Sequence, residues 1–359
     1  MAGTEAITGI GTKGREIKAQ YNKFIGRKIL FILVSLILIG LIAGISTTLG
    51  SYPITVSEVY TIIWHGLYHD PETTSEIVIW NLRLPRIILG ILAGIGLAIS
   101  GTEMQGILRN PLASPFTLGI ASGAGFGAAL AIILGAGFIL NRYLIIGNAF
   151  FFALIPAFVI IGLAHYRSAT PETMVLAGIA MVYIFSAATT LLQYFAEPEA
   201  VKETVFWMVG SLGRASWENL IPVSIVLICC LIPLMWTVWD LNALTAGDEV
   251  AKSLGLNVER TRIMVMLLAT LLTAGIISFT GTIGFIGLVS PHICRMIIGG
   301  DHRFLIPASG LCGAVLLLSA DTLARLIIAP VILPVGVLTA FMGGPLFLYL
   351  ILRRRKEYW

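Results

Sequence analysis

The charged side chains that could bind a partner or carry out chemistry are concentrated in one polar segment, residues 240–262, of an otherwise apolar chain. No apolar run within it reaches the roughly 20 residues that a helix needs to cross a bilayer. A charged segment between two long apolar runs must lie at a membrane surface, where it can bind a soluble partner. A solvated connector without a partner is the alternative interpretation. The charged residues of the segment are Asp240, Asp248, Glu249, Lys252, Glu259, Arg260 and Arg262.

This polar segment is predicted to fold as two short helices joined at a break. The helix over Ala246 to Leu254 would place Val250 and Leu254 on one face. Gly255 stands where a helix end favours a residue with positive φ. Asn257 can then cap the apolar helix that follows. The pattern therefore predicts an amphipathic element rather than a disordered loop.

No combination of residues in the sequence indicates catalysis. We find no Ser/His/Asp set, no carboxylate pair placed for acid–base chemistry and no GxxxxGK[ST] phosphate loop. Gly9, Gly11 and Gly14 match GxGxxG, but no strand precedes them, so we interpret the match as chance. His65 and His69 are four residues apart without a third ligand, which favours a helix surface over a metal site. We expect no enzyme activity, metal or cofactor in this chain, and transport is the natural interpretation.

Charged residues inside or beside the apolar runs form a second candidate site. Asp321 and Arg325 are four residues apart and can pair on one helix, and ionisable groups within a membrane span are functional candidates. Arg325 is predicted to lie at the same depth as Arg83 and Arg86. Three arginines at one surface could bind acidic groups of a soluble partner. The alternatives are interfacial anchoring and a neutral ion pair that only fixes helix rotation.

Membrane-spanning helices must position these residues. The 359-residue chain is 57% hydrophobic and 12% charged, whereas about 25% of residues are charged in soluble domains. Long apolar runs form helices in a bilayer because a helix satisfies its own backbone hydrogen bonds. We predict an all-α polytopic membrane protein with a basic tail at residues 1–28 and one domain over 29–355. Its ten predicted transmembrane helices are 29–49, 84–107, 115–138, 147–165, 173–196, 218–239, 263–280, 284–299, 305–327 and 335–352.

The distribution of basic residues predicts the orientation of the chain. Most of the 23 Lys and Arg residues fall in the two terminal segments and in the loops on the same side of the membrane. Loops rich in Lys and Arg favour the cytoplasmic side. The N and C termini and the 240–262 segment are therefore predicted to be cytoplasmic, and so is the partner of that segment.

Several long motifs together resemble a known family. From about residue 29 to 355, the chain is similar to the permease subunits of binding-protein-dependent ABC importers for iron–siderophores, haem and cobalamin. The motifs are LRLPR (82–86), SGTEMQGILRNPLASPFTLGIASGAGFGA (100–128), FWMVGSLG (206–213), LTAGDEVAKSLGLNV (244–258), GTIGFIGLVSPHICR (281–295), GDHR (300–303), ADTLAR (320–325) and LPVGVLTAFMGGPLFLYL (333–350).

The resemblance implies a set of partners. Two ten-helix permease subunits, most simply a homodimer, would surround a central pathway in the cell membrane. A pair of separate ATPase subunits would use ATP and Mg on the cytoplasmic side, and an extracytoplasmic binding protein would deliver the chelate. No nucleic-acid partner is expected. A stand-alone secondary transporter or channel is the alternative function.

The resemblance also implies roles for particular residues. Coupling helices over 240–258 would contact the ATPase through Gly247, Asp248, Glu249, Ala251, Leu254 and Gly255. Arg83, Arg86 and Arg325 would meet acidic residues of the binding protein. The gate would lie before the fifth span, at Ser168, Thr170, Pro171 and Glu172, although Pro171 and Glu172 depart from the small polar residues of the family. Span five, with Ser186, Thr190 and Gln193, would line the pathway together with part of span ten.

Overall fold

The computed structural model describes residues 2–50, 52–139, 143–167 and 170–352, without the side chains of residues 2–23, 165, 167, 350 and 351. Within these ranges every regular element is a helix. A π-helical turn, Val78–Arg83, leads into α4, and a 3-10 turn, Leu212–Arg214, follows α8. The α-helices are α1 (Ala2–Thr48), α2 (Val56–His65), α3 (Thr74–Ile77), α4 (Leu84–Leu108), α5 (Ile120–Leu134), α6 (Leu144–Arg167), α7 (Pro171–Tyr194), α8 (Pro198–Met208), α9 (Trp217–Trp236), α10 (Val238–Thr245), α11 (Asp248–Ser253), α12 (Val258–Thr280), α13 (Ile286–Ile298), α14 (His302–Leu326) and α15 (Val335–Leu352).

Apolar helices lie at the positions of the predicted spans, and most of them are long enough to cross a membrane. Seven helices in the described chain are long and apolar enough to cross a membrane. Three shorter apolar helices, α5, α13 and α15, occupy the predicted spans 115–138, 284–299 and 335–352. The prediction of an all-α protein with many membrane helices is therefore confirmed.

One predicted boundary differs at α5, which begins at Ile120 and not at residue 115. The side chain of Asn110 accepts a hydrogen bond from the backbone N–H of Leu112 at 2.9 Å. The hydroxyl of Thr117 donates to the carbonyl of Ser114 at 2.8 Å. Such local side-chain bonds compete with helix formation, so the apolar residues between these two turns do not extend the helix.

The central helix of the bundle is α4, which packs on α12, α13 and α14. A Cβ on Gly101 would lie 1.7 Å from the carbonyl oxygen of Gly287 in α13. One on Gly94 would lie 2.6 Å from the backbone of Ala314 in α14. Small residues that let helix backbones meet are the usual basis of helix packing in a bilayer. The contacts of α4 therefore set the relative positions of three other helices.

Glycines on one face of α5 allow a close contact with α6. Cβ atoms on Gly123 and Gly127 would each lie 2.4 Å from a backbone carbonyl of α6, those of Phe152 and Asn148. The α5–α6 pair is among the most extensive helix contacts in the described chain. Its position depends on the absence of a side chain at these two residues.

Candidate coupling site and arginine cluster

The polar segment between the apolar helices α9 and α12 folds as α10 and α11. The second of these helices covers only Asp248–Ser253, so the predicted range Ala246 to Leu254 is too long at both ends. Gly247 precedes the helix at φ +114, a conformation that glycine tolerates and that keeps residue 246 outside the helix. Gly255 has φ +85, and the side chain of Asn257 accepts from the Arg260 N–H at 3.0 Å, as predicted.

One carboxylate fixes α11 to the bundle. Asp248 accepts hydrogen bonds from both terminal nitrogens of Arg262 in α12, at 2.7 and 2.9 Å. Arg109, which follows α4, lies 3.4 Å from the same carboxylate. The Nε of Arg262 also donates to the carbonyl of Ile107 at 3.0 Å. Burial opposes ionisation here, but the hydrogen bonds and charge of Arg262 outweigh it and hold the pKa of Asp248 below its usual value.

A second attachment, which the sequence analysis missed, joins α10 to the start of α14. Oδ1 of Asn242 accepts from the backbone N–H of His302 at 2.9 Å, and its Nδ2 donates to Asp301 at 3.1 Å. Asp301 caps α14, accepting from the Arg303 N–H at 3.2 Å. Nothing in the local sequence pairs Asn242 with a residue 60 positions away. An asparagine on an apolar helix was the only available signal.

The six predicted coupling residues divide into two groups. Ala251 is fully buried and Asp248 is bound by the arginines, so both face the bundle. Glu249, Leu254 and Gly255 are exposed, and Leu254 has 71% of its surface accessible. Gly247 is half-buried. The segment thus has one side attached to α4, α12 and α14 and one side open, on which Val250 and Leu254 are apolar and exposed.

The three predicted docking arginines meet at the opposite end of α4, in one cluster. Arg86 donates to both oxygens of Asp321, with its shortest bond at 2.7 Å. Nε of Arg325 lies 3.3 Å from the same carboxylate, as the four-residue spacing predicted. Asp321 is fully buried. The partner that sequence reasoning missed is Arg86, which lies 235 residues away in the chain.

Arg83 and Arg325 also bind backbone carbonyls at the end of α1. Arg83 donates to the carbonyl of Thr47 at 2.5 Å and to that of Tyr52. Arg325 donates to the carbonyl of Leu49 at 3.2 Å. All three arginines line one cavity of about 370 Å³ at this end of the bundle. Three cationic side chains line this cavity, and the buried carboxylate of Asp321 pairs with two of them, so the cavity wall is positively charged.

The predicted gate residues lie at the start of α7. Thr170 is the N-cap and accepts from the Thr173 N–H at 3.3 Å, Pro171 is the first residue of the helix and Glu172 lies in its first turn. Proline at this position and an acidic residue beside it are typical of helix starts. Ser168 lies outside the described residues. Pro171 and Glu172, which depart from the family pattern, therefore form the start of α7.

The predicted pathway residues lie along one face of α7. Ser186 and Thr190 are exposed and Gln193 is half-buried. Tyr183, on the same face, has 73% of its surface accessible. A separate cavity of about 550 Å³ is not lined by α7. Its lining residues come from α8, α15 and the turns between helices, among them Phe116, Met208, Thr282, Phe285, Val337 and Phe341.

Comparison with known proteins places this architecture in a family. The sequence profile of the FecCD transport family matches residues 33–353. The chain is 49% identical over 351 residues to MJ0087 of Methanocaldococcus jannaschii, assigned as an ABC transporter permease protein, and the match covers 95% of this chain and 99% of the relative. It is 43% identical over 283 residues to the hemin transport system permease protein HmuU of Yersinia pestis, covering 78% and 84% of the two chains.

A solved structure has the same arrangement of helices. It is assigned as an inward-facing conformation of a metal-chelate type ABC transporter. The TM-score is 0.80 at 31% sequence identity, and the match covers 90% of this chain and 99% of the other. The fold and the sequence therefore lead to the same group of proteins.

Proposed function

The chain belongs to the FecCD transport family, and from this premise we propose that it is the permease subunit of an ATP-driven importer supplied by an extracytoplasmic binding protein. Its relatives are multi-pass permease components of ABC transporters and not enzymes. In this proposal ATP and Mg are bound by a separate pair of ATPase subunits, while the present chain binds no cofactor of its own.

The observation that carries the proposal is the two-sided structure of α10 and α11. The side that faces the bundle is attached through Asp248 to α4 and α12 and through Asn242 to α14. The open side presents Val250 and Leu254. An exposed apolar pair beside charged residues is the usual composition of a protein-binding surface. Movement of an ATPase bound there would reach three membrane helices through hydrogen bonds to charged groups.

The arginine cluster supports a docking role at the other end of α4. Its net positive charge complements a partner surface that carries carboxylates, and such complementarity accelerates association. Arg83, Arg86 and Arg325 are each held by internal contacts, so a docking carboxylate would meet guanidinium groups that are already oriented. Pre-oriented charges bind a partner with little loss of side-chain freedom.

The exposed faces of α7 and α15 support pairing with a second permease subunit, and we favour a homodimer. Tyr183 on α7 and Phe341 on α15 each have more than 70% of their surface accessible. The cavity of about 550 Å³ opens beside Phe341. Two copies joined near these faces would enclose a pathway between them, with Ser186 and Thr190 on its wall.

The cargo that we propose is a metal chelate of the iron–siderophore, haem or cobalamin type. The support comes from the relatives, one of which is a hemin permease, and from the match to a metal-chelate type transporter. The residues that line the large cavity are mainly aromatic and aliphatic. Such a wall suits a large ligand that passes through without strong polar contacts.

The experiment that tests this function is gentle purification from membranes followed by mass spectrometry of every protein that co-purifies. We expect a stoichiometric ATPase with a phosphate-binding loop, and addition of substrate should retain a binding protein as well. A stable oligomer of this chain alone, with no ATPase even after crosslinking, would instead support a stand-alone secondary transporter or channel.

The ATPase contact itself can be tested at Gly255. Proline cannot adopt φ +85, so Gly255→Pro should distort the end of α11 and abolish ATPase co-purification. Gly255→Ala is the matched control: a Cβ there meets no atom within 4 Å, and the positive φ costs alanine about 1–2 kcal/mol. The alanine variant should retain the ATPase. Normal assembly and uptake with proline would show that α11 does not contact the ATPase.

A further inference from the structure

A glutamate lies inside the bundle without an ion-pair partner among the described residues. Glu103, in α4, is fully buried. Neither of its carboxyl oxygens has a hydrogen-bond partner within the described chain. An isolated carboxylate is far too unfavourable in such an environment, so the group must be neutralised. The permease function assigns it no role.

The contacts of α4 establish what Glu103 faces. Gly96 and Gly106 are seven residues before and three residues after it, spacings that place all three on one face of a helix. A Cβ on Gly96 would meet Leu272 of α12 and Leu227 of α9, at 3.2 and 3.4 Å. Glu103 therefore faces the space between α9, α10, α12 and α14.

A group that meets this face of α4 and could share a proton is His302. A Cβ on Gly106 would lie 3.1 Å from Nε2 of His302, so this nitrogen lies beside a residue that is one helical turn from Glu103. His302 is 1% exposed, and its Nε2 has no hydrogen-bond partner among the described residues. A buried carboxyl group of α4 and a buried imidazole nitrogen of α14 thus lie at the same face of α4, about one helical turn apart along it.

Hydrogen bonding determines which nitrogen of His302 carries hydrogen. Oδ1 of Asn242 accepts from the backbone N–H of His302, which identifies that atom as the amide oxygen. Nδ1 of His302 lies 2.9 Å from the same oxygen and must therefore be an N–H donor. In the neutral imidazole Nε2 is then a bare acceptor. An acceptor buried beside a carboxyl group is satisfied only if that group is a donor, which requires a protonated acid.

A metal ion and a salt bridge both fit this site less well than a proton. A hard cation needs about six oxygen ligands, whereas the face offers the two oxygens of Glu103 and the hydroxyl of Ser100. Three arginines at this end of the bundle bind other groups: Arg262 binds Asp248, Arg295 binds Gln105 and Arg303 binds Asp301. The site therefore suits the binding of a single proton.

We propose that Glu103 and His302 form a buried proton-binding site between α4 and α14, in which Glu103 is a carboxylic acid and Nε2 of His302 accepts from its O–H. A change of the Glu103 rotamer or one bridging water closes the gap between the two groups. The site continues through Nδ1 of His302 to Asn242, so the proton is held at the inner end of a hydrogen-bond chain that begins on α10. This inference goes beyond the proposed import function and does not depend on it.

Infrared difference spectroscopy tests the site on the full-length chain in lipid, together with the proteins that co-purify with it. Subtracting the Glu103→Gln spectrum from the wild-type spectrum at neutral pH should show loss of one protonated carboxylic-acid carbonyl band. Asp321→Asn is the matched control, because it removes a fully buried carboxylate that is ion-paired with Arg86. It should remove a carboxylate band and leave the acid band. If Glu103→Gln removed a carboxylate band instead, Glu103 would be ionised in the wild type, with an imidazolium or a metal ion as its counter-charge. That result would overturn the proposal.

A second measurement separates the pair from a lone acid. His302→Ala removes the acceptor, so the acid band should persist at a higher frequency. An unchanged frequency would show that His302 does not bind the acid. If the glutamine variant failed to fold, wild-type protein made with ¹³C-labelled glutamate would still decide the matter. The acid band must then move to lower frequency, and the absence of such a band at neutral pH would refute the site.

Discussion

Arg262 and Arg86 each join parts of the chain that no local sequence rule relates. Arg262 binds the carboxylate of Asp248 and the carbonyl of Ile107, so one guanidinium connects α12, α11 and the last turn of α4. Arg86 binds both oxygens of Asp321 in α14. The planar fork of arginine donors suits such bidentate contacts, which lysine could not reproduce.

The attachment of α11 can be tested with two matched changes on the same helix. Asp248→Asn removes the charge that accepts two hydrogen bonds from Arg262, which should destabilise the attachment by about 1.5–3 kcal/mol. Glu249→Gln removes a charge whose side chain is 91% exposed and pairs with the exposed Lys252, and such exposed pairs contribute little. Thermal unfolding of the purified permease should therefore show a lower midpoint for Asp248→Asn and no change for Glu249→Gln. Equal midpoints for the two variants would contradict the anchoring role of Asp248.

The carboxylates of Asp248 and Asp301 predict a dependence of stability on pH. The pKa of Asp248 and that of Asp301 are both lowered in the folded protein, because hydrogen bonds from arginine outweigh the effect of burial. Their contribution is present above the unfolded pKa of about 4 and is lost as pH falls through the lower folded values. The unfolding midpoint should thus fall in acid, and fall less steeply in Asp248→Asn. Identical acid profiles for the variant and the wild type would rule out a contribution from Asp248.

At the scale of elements, the glycines of α5 determine how closely this helix packs on α6. A methyl group on Gly123 would lie 2.4 Å from the Phe152 carbonyl, whereas one on Gly162 of α6 meets nothing within 4 Å. Gly123→Ala should force α5 from α6 and cost about 1–3 kcal/mol. Gly162→Ala should be neutral or slightly stabilising, since alanine favours helices. Unfolding in detergent measures both, and equal stability of the two variants would show that the α5–α6 contact is loose.

Local signals made several elements predictable from the sequence. Gly255 ends α11, Asn257 caps α12 and Asp301 caps α14, because each acts on backbone groups within three residues. The start of α5 could not be predicted from hydropathy, since the turns before it are apolar in composition but bonded by their own side chains. The attachment of Asn242 to His302 required the tertiary fold.

The end of α4 that begins at Leu84 has a local excess of positive charge. One end has Arg83, Arg86 and Arg325 around a single carboxylate. Association with an acidic binding protein should slow as salt increases, because the Debye length falls from about 10 Å at 0.1 M to about 3 Å at 1 M. Stopped-flow association rates of the purified complex should drop by about tenfold or more across that range. A rate independent of salt would exclude these arginines from the encounter.

The continuous helical segment Thr74–Leu108 is 35 residues long, or about 50 Å from end to end. Arg86, in the first turn of α4, binds Asp321, and Arg109, just beyond the last residue of the same segment, lies beside Asp248. A helix that contacts both clusters is a path through which binding at one can change the affinity at the other, and any such coupling is reciprocal. Any ligand that changes the affinity at one end by a given factor must find its own affinity changed by the same factor when the other end is occupied. Binding of the binding protein and binding of the ATPase would then depend on the same conformational equilibrium of the permease.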